Sequence, residues 1–252
     1  MEDTYAGPRT DNEYNRLRLQ HDFIKYAMNG ELVFAPIDVS KPFLHVLDSA
    51  TGDGYWLVDL SSNMHTTSKL VGADIAPQHF IPRSELPDQV ELINHDICHT
   101  WPASFHNHFD LVHQRFVLMA ANDTNTTKAI QNLVDCVRPG GWIQLHDGDM
   151  DTIEEGDEHR AMMKFREIAR TGWQMLGFNL SPGPKLNEWL KERGLINLEE
   201  RVLNVKCGKS SSDVGQGEKL VQMLLGHSTI CPGLRAVCRL TFFLLKPCIV
   251  SR

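Results

Sequence analysis

Long apolar runs are missing from this 252-residue chain. The longest, such as Leu240–Leu245, are strand-sized, far short of the about 18 residues a bilayer-spanning helix needs. The opening MEDTYAGPRTDNEYNR lacks the apolar stretch of a secretory signal, so a cytoplasmic protein with no membrane partner is expected. Three glycosylation-type sequons, at Asn122, Asn125 and Asn179, are then read as chance. The six cysteines (Cys98, Cys136, Cys207, Cys231, Cys238, Cys248) include no C-x-x-C pair and no zinc spacing. Reduced thiols and no metal are expected. Positive charge is short as well. The net charge is −7 and the pI about 5.9, and no nucleic-acid partner is expected, because phosphate binding needs a basic surface. No internal repeat or low-complexity tract is present. Acids are absent from the last 25 residues, which hold three cysteines and four basic residues.

What is present is ordinary globular composition: 42 % hydrophobic, 23 % charged and 8 % aromatic residues. That suffices for one domain with a full core. Residues 1–12 read as a loose tail and 13–252 as a single domain. Within it, 13–40 form a cap-helix region, 41–150 a binding core and 151–225 a substrate-side half. Residues 226–252 form a C-terminal segment whose place in a sheet is open.

The chain alternates between two periods. Tyr14, Leu17, Leu19, Phe23, Ile24, Tyr26 and Ala27 give 13–29 the broad apolar face of a helix, which Asn29-Gly30 ends. Short apolar runs at 43–48, 69–74, 89–96, 109–115 and 142–147 read as strands buried on both faces. A helix is expected over 124–138, and Arg138-Pro139-Gly140-Gly141 then breaks the chain. Further helices are expected over 157–176 and 186–195, one strand over 196–208, a loop over 209–217 and a last strand over 236–246. Strands alternating with helices predict a doubly wound, mostly parallel α/β sheet.

The densest signal is Val46-Leu47-Asp48-Ser49-Ala50-Thr51-Gly52-Asp53-Gly54-Tyr55-Trp56. A strand ends on an acid, small residues follow, and a helix begins. Small residues let backbone approach a ligand, and open sheets bind ligands beyond the carboxyl ends of their strands. A dinucleotide turn asks for G-x-G-x-x-G. Gly52 and Gly54 fit its first two positions, but the third falls on Leu57, whose bulk would crowd the helix against the strand. The P-loop lysine is absent too. A dehydrogenase is therefore the weakest reading.

The segment Asp48-Ser49-Ala50-Thr51-Gly52-Asp53-Gly54 resembles motif I (D-x-G-x-G-x-G) of class I S-adenosylmethionine-dependent methyltransferases, with Ala50 in place of the first glycine. Three further landmarks follow in the family's order: Asp74 ending the second strand, Asp96 after the third, and the Arg138-Pro139-Gly140-Gly141-Trp142 turn before the fifth. The resemblance implies a seven-stranded Rossmann-like sheet with an N-terminal cap helix and S-adenosylmethionine as cofactor. It makes Asp48, Ala50, Gly52 and Gly54 the cofactor turn. Asp74 becomes the acceptor of the ribose hydroxyls, with Ile75 beside it, and Asp96 the acceptor of the adenine amino group, with Ile97 on the ring. Gln114 and Arg115, at the end of the fourth strand, become further cofactor contacts. Arg16-Leu17-Arg18-Leu19-Gln20-His21, Ala50–Trp56 and Ile75-Ala76-Pro77-Gln78 are similar to fungal secondary-metabolite methyltransferases, a group that includes LaeA-like regulators.

The expected function is methyl transfer to O or N of a small hydrophobic natural product. The alternatives are a regulatory SAM-binding protein acting through protein partners and a non-methylating enzyme such as a cyclase. Oligomeric state is open. Candidate bases are His113 on the fourth strand, His146 beside Asp147 on the fifth, and His21 on the cap helix, because imidazole titrates near neutrality. Met162, Met163, Phe165, Trp173, Met175 and Phe178 are read either as helix core or as an apolar acceptor pocket. The histidines at 95, 99, 106 and 108 lack the spacing of a metal site.

Overall fold

The computed structural model describes residues 9–149, 151–152, 156–208, 213, 215, 239–245 and 248–251. Strand β1 (His45–Ser49) lies at the centre. It pairs in parallel with β2 (Lys69–Asp74) on one side and β4 (Phe109–Arg115) on the other. β3 (Val90–Asn94) extends the sheet beyond β2, and β5 (Val137–His146) extends it beyond β4. The parallel order is therefore β3-β2-β1-β4-β5. The chain winds outward to β3 and then returns to the opposite flank of β1. That reversal opens a crevice at the carboxyl ends of β1 and β4, where a ligand can lie.

Strand alternation sorts the apolar residues into two cores. Val46, Leu70 and Leu111 face α2 (Tyr55–Ser61), where Trp56, Leu57 and Leu60 are buried. Leu47, Val112, Ile143 and Leu145 face Ile130, Leu133 and Val134 of α3 (Asp123–Cys136). Each strand must be apolar on both sides, so its sequence reads as a run rather than an alternation.

Helix α1 (Asp11–Ala27) begins at Thr10, whose side chain accepts from Glu13 N. Asp11 and Glu13 in the first turn and Lys25 in the last complement its macrodipole. Asn29 (φ 56°) and Gly30 (φ 87°) turn the chain away in the left-handed region. The following loop is stapled to the sheet by Gln144 on β5. Its Oε1 accepts from Phe34 N (2.7 Å) and Ala35 N (3.1 Å), and its Nε2 donates to Leu32 O (3.1 Å).

Several boundaries differ from the sequence reading. α1 starts at Asp11, inside the expected tail. The Arg138–Gly141 turn does not precede the fifth strand but lies within β5, absorbed by Gly140 (φ 79°) and a register shift against β4. The single strand expected over 196–208 is two. β6 (Ile196–Glu200) joins the main sheet, and β7 (Leu203–Gly208) pairs with β8 (Arg239–Leu245) in a separate two-stranded sheet. The run at 236–246 thus leaves the main sheet, where β9 (Cys248–Ser251) lies antiparallel between β5 and β6. The loop expected over 209–217 lies outside the described residues except at 213 and 215, as does most of 226–252. The helix expected over 157–176 is α4 (Arg160–Met175) behind a short 3-10 turn, and that over 186–195 is α5 (Leu186–Lys191).

Candidate functional site

The turn after β1 curls through three left-handed residues: Ala50 (φ 53°), Gly52 (φ 65°) and Gly54 (φ 95°). Thr51 Oγ1 ties it down by donating to Asp48 Oδ2 at 2.6 Å. The crowding expected from Leu57 is relieved elsewhere. Gly72 on β2 lies so close that an added Cβ would sit 2.6–2.9 Å from side-chain atoms of Leu92, Leu57 and Thr51. The space that a third turn glycine would provide comes from the neighbouring strand. Ala50 carries the only side chain among the three left-handed residues, and its Cβ crowds the following carbonyl. Ala50→Gly is therefore expected to stabilise the protein by about 1 kcal/mol. Thermal denaturation checks this; a fall in Tm would show that the turn is not strained.

Two acids stand at the ends of adjacent strands. Asp74 Oδ2 accepts from Gly52 N (2.9 Å) and Oδ1 from Ala76 N (3.0 Å). Burial raises its pKa, and these two N–H groups pull against that. Asp96 Oδ1 accepts from Cys98 N (2.8 Å), and Oδ2 lies 3.1 Å from His99 Nδ1. Ile75 and Ile97 are half-buried beside them. Two residues that sequence reasoning passed over, Asn94 and Asn132, and Tyr14, read there only as part of a helix face, hold this edge. Asn94 Nδ2 donates to the carbonyls of Asp74 and Ile75. Asn132 Nδ2, from α3, donates to those of Ile97 and His99. Tyr14 of α1 stacks on His79 at 4.3 Å. Nothing local marks them, since each acts on a segment distant in sequence.

At the end of β4 the side chains part by alternation. Gln114 turns to the α3 face, where its Oε1 accepts from Ser49 Oγ at 3.0 Å. His113 and Arg115 turn to the α1–α2 face. His113 is sandwiched: its ring stacks on Trp56 at 3.8 Å, and its Nδ1 meets Asp48 Oδ1 at 2.7 Å. Burial pushes the Asp48 carboxyl up to about 7. The His146 ring stands edge-on to His113 at 5.2 Å. Burial first, with the nearby Arg115, drives both imidazoles well below their ordinary pKa, so both are neutral. The Nε2 atoms of His113 and His146 are buried without a hydrogen-bond partner among the described residues. Asp147 points to the other face and accepts from Leu118 N at 2.9 Å, which fixes the turn after β4.

Arg115 reaches toward α1. Its Nη2 lies 3.3 Å from His21 Nδ1, and no carboxylate pairs with it among the described residues. Burial lowers this guanidinium to about 10. His21 is itself engaged on both nitrogens, with Nε2 at 2.8 Å from Asp59 Oδ2. α1 is fastened over the site by this contact, by Lys25–Asp59 (2.7 Å) and by Arg18–Asp53 (2.7 Å).

The histidine-rich loop is spent on packing. His95 stacks on Trp101, His106 meets the Trp101 carbonyl, and His108 packs on His45. The aromatic and methionine set after β5 divides. Met162 is buried, whereas Met175 is 83 % exposed. Trp173 and Phe178 line a cavity of about 530 Å³ with Asp151, Arg170, Asn179 and Lys185. Its wall is more polar than the apolar pocket expected. Trp173 Nε1 donates to Met119 O at 2.6 Å, tying the cavity to the turn after β4. No described helix is long and apolar enough to cross a membrane.

Residues 46–141 match a family described as a methyltransferase domain. The chain is 38 % identical to N-methyltransferase tcpN of Claviceps purpurea, over 92 % of this chain and 81 % of that one. It is 36 % identical to N-methyltransferase sirN of Leptosphaeria maculans, over 84 % and 73 %. Among solved structures, Haemonchus contortus phosphoethanolamine N-methyltransferase 2, in complex with phosphomonomethylethanolamine and S-adenosylhomocysteine, shares the fold with a TM-score of 0.54. At 14 % identity that likeness covers 95 % of this chain and 52 % of the other, so the chain spans about half its length.

Proposed function

The chain belongs to the class I S-adenosylmethionine-dependent methyltransferases, and from that premise we propose that it methylates a nitrogen of a small natural product in fungal secondary metabolism. The observation that carries the reading is the crevice at the β1/β4 reversal. A left-handed turn, two strand-end acids and a half-buried arginine with no carboxylate partner among the described residues share that one edge. Nitrogen is favoured over oxygen because the relatives named above are N-methyltransferases.

The residues fit the cofactor in kind. Asp74 and Asp96 are acceptor-only groups for the ribose hydroxyls and the adenine amine, and Ile75 and Ile97 flank them with apolar surface. Asp48, Ala50, Gly52 and Gly54 bring backbone close to the ligand. Arg115 answers a carboxylate, because a guanidinium binds one bidentately. Gln114 supports the turn from the opposite face through Ser49. The antiparallel β9 and, beyond it, β6, which runs parallel to β5, complete a seven-stranded sheet, and α1 caps the site. The cavity lined by Trp173 and Phe178 takes the acceptor. The setting is cytoplasmic, where Cys98 and Cys136 remain free thiols.

When bound, S-adenosylmethionine supplies a methyl group on a sulfonium, open to in-line displacement. With that group bound, the chain's task would be to hold the acceptor nitrogen's lone pair toward the methyl carbon and to let the proton that nitrogen then loses depart. Most of the rate comes from holding that nitrogen on line. Among the three candidate bases, His21 has both ring nitrogens engaged and His113 is held by Asp48 beneath Trp56. His146 is left as the candidate held by neither Asp48 nor α1, its Nε2 buried, like that of His113, without a partner among the described residues, but burial weakens it as a base.

The test uses methyl-labelled S-adenosylmethionine with purified protein and a fungal extract. Label in a small apolar product supports the proposal, and the labelled atom decides nitrogen against oxygen. Label in protein, or cofactor binding without transfer, would sink it in favour of a regulator or a non-methylating enzyme.

A further inference from the structure

The contacts of His21 give it a task that no part of the transfer chemistry requires. An arginine side chain carries donors only. Nη2 of Arg115, 3.3 Å from His21 Nδ1, can meet only a lone pair there. The ring proton is therefore on Nε2, where it donates to Asp59 Oδ2 at 2.8 Å. His21 is 2 % exposed and stands edge-on to Tyr55, with ring centroids 5.0 Å apart. A neutral ring with both nitrogens used cannot accept a further proton without losing one of these partners. It links Asp59 on α2, through α1, to the guanidinium on β4.

We propose that His21 is a positioning residue that holds the Arg115 guanidinium in the cofactor crevice, so that α1 must be seated for the arginine to reach its ligand. The inference rests on the reading of Arg115 as the contact for the cofactor's carboxylate. Seated, α1 is held by Arg18–Asp53, Lys25–Asp59 and His21–Asp59. Lifted, it would take the Nδ1 acceptor away, and Arg115 would be free to swing toward Asp48, the carboxyl that acts on it electrostatically. The device is also sensitive to acid. A proton on Nδ1 would face the guanidinium directly and break the contact. The charged and titratable groups around the ring are Asp59 and Tyr55 from α2, Arg115 and His113 from β4, Asp48 from β1, and Asp22 and Lys25 on α1 itself. Burial and Arg115 lower the pKa of His21, so the neutral, holding form persists at neutrality and is lost as pH falls below the ordinary histidine range.

Isothermal titration of the full chain with S-adenosylmethionine tests this. His21→Phe keeps the ring's bulk but removes both hydrogen bonds, and about tenfold weaker binding is expected, the size of one charge-assisted bond. His21→Asn places an oxygen where Nδ1 lies and should recover most of that loss. In the wild type, affinity should fall as pH drops below the ordinary histidine range, and His21→Asn should reduce that fall, because an amide does not titrate. In an Arg115→Met background, His21→Phe should add less than about twofold, since two residues acting through one contact are not additive. Equal pH profiles for wild type and His21→Asn, or full additivity with Arg115→Met, would overturn the proposal. If Arg115→Met binds the cofactor like wild type, the reading of Arg115 falls and the inference falls with it. Failure of the wild type to bind at all is the separate failure of the proposed function.

Discussion

Asp74→Ala is expected to weaken S-adenosylmethionine binding at least about 100-fold while the protein stays folded. The carboxylate sits at the end of β2 and accepts from Gly52 N and Ala76 N in the absence of ligand. In the proposed complex the same oxygens also face two ribose hydroxyls. Each charge-assisted hydrogen bond is worth about 1.5–3 kcal/mol, and the loss of two exceeds the about 2.7 kcal/mol of a 100-fold change. The substitution also releases Gly52 N, so the left-handed turn loses an anchor where it must approach the ligand. Asp74→Asn separates these effects. Its one acceptor oxygen can hold Gly52 or Ala76, and its NH₂ must face the other donor, so binding should fall nearly as far. Titration calorimetry measures the affinity, and a melting curve shows whether the fold persists. Near-native affinity in Asp74→Ala would remove Asp74 from the cofactor site and with it the family's reading of the β2 end.

The second large effect concerns stability, at Gln144. Gln144→Leu is expected to cost about 3–5 kcal/mol, which at this chain length lowers Tm by about 10 °C. The volume is kept, but Phe34 N, Ala35 N and Leu32 O all lose their partner on a face where the side chain is fully buried. An unmade buried hydrogen bond costs more than a made one contributes. Hydrogen exchange should place the damage: amides of residues 32–35 lose protection, while those of β2 and β3 do not. Gln144→Glu sharpens the test. The charged form is penalised by burial, so its folded pKa is raised, and stability is lost as pH rises through that value. The protonated acid can donate to Leu32 O as the amide does. Gln144→Glu should therefore be more stable relative to wild type at pH 5 than at pH 7. An unchanged Tm in Gln144→Leu would mean that the staple contributes nothing.

Much of this molecule is written locally. The alternation of apolar runs and amphipathic stretches determines an α/β chain, and the run at 69–74 becomes a strand with those bounds. The small residues after Asp48 determine a tight turn, because only they tolerate three left-handed angles in five positions. The acids after the second and third strands sit at the carboxyl edge because strand direction carries them there. Sequence by itself therefore determined the class of fold, the small-residue turn after β1 and the acids at the strand ends. The faces and partners came from tertiary structure alone. His113, His146 and His21 look alike as sequence. Strand register puts the first between Trp56 and Asp48, and α1 docking spends the third on Asp59 and Arg115. Gly72 serves a helix that begins on another element, and Gln144 holds a loop more than a hundred residues away. Residues 196–208 read as one strand, yet the apolar positions change phase between Val202 and Leu203, and the two halves find different partners. The physical reason is the same each time. Periodicity reports which side of an element is apolar, whereas a hydrogen-bond partner is chosen by whatever the register brings within about 3 Å.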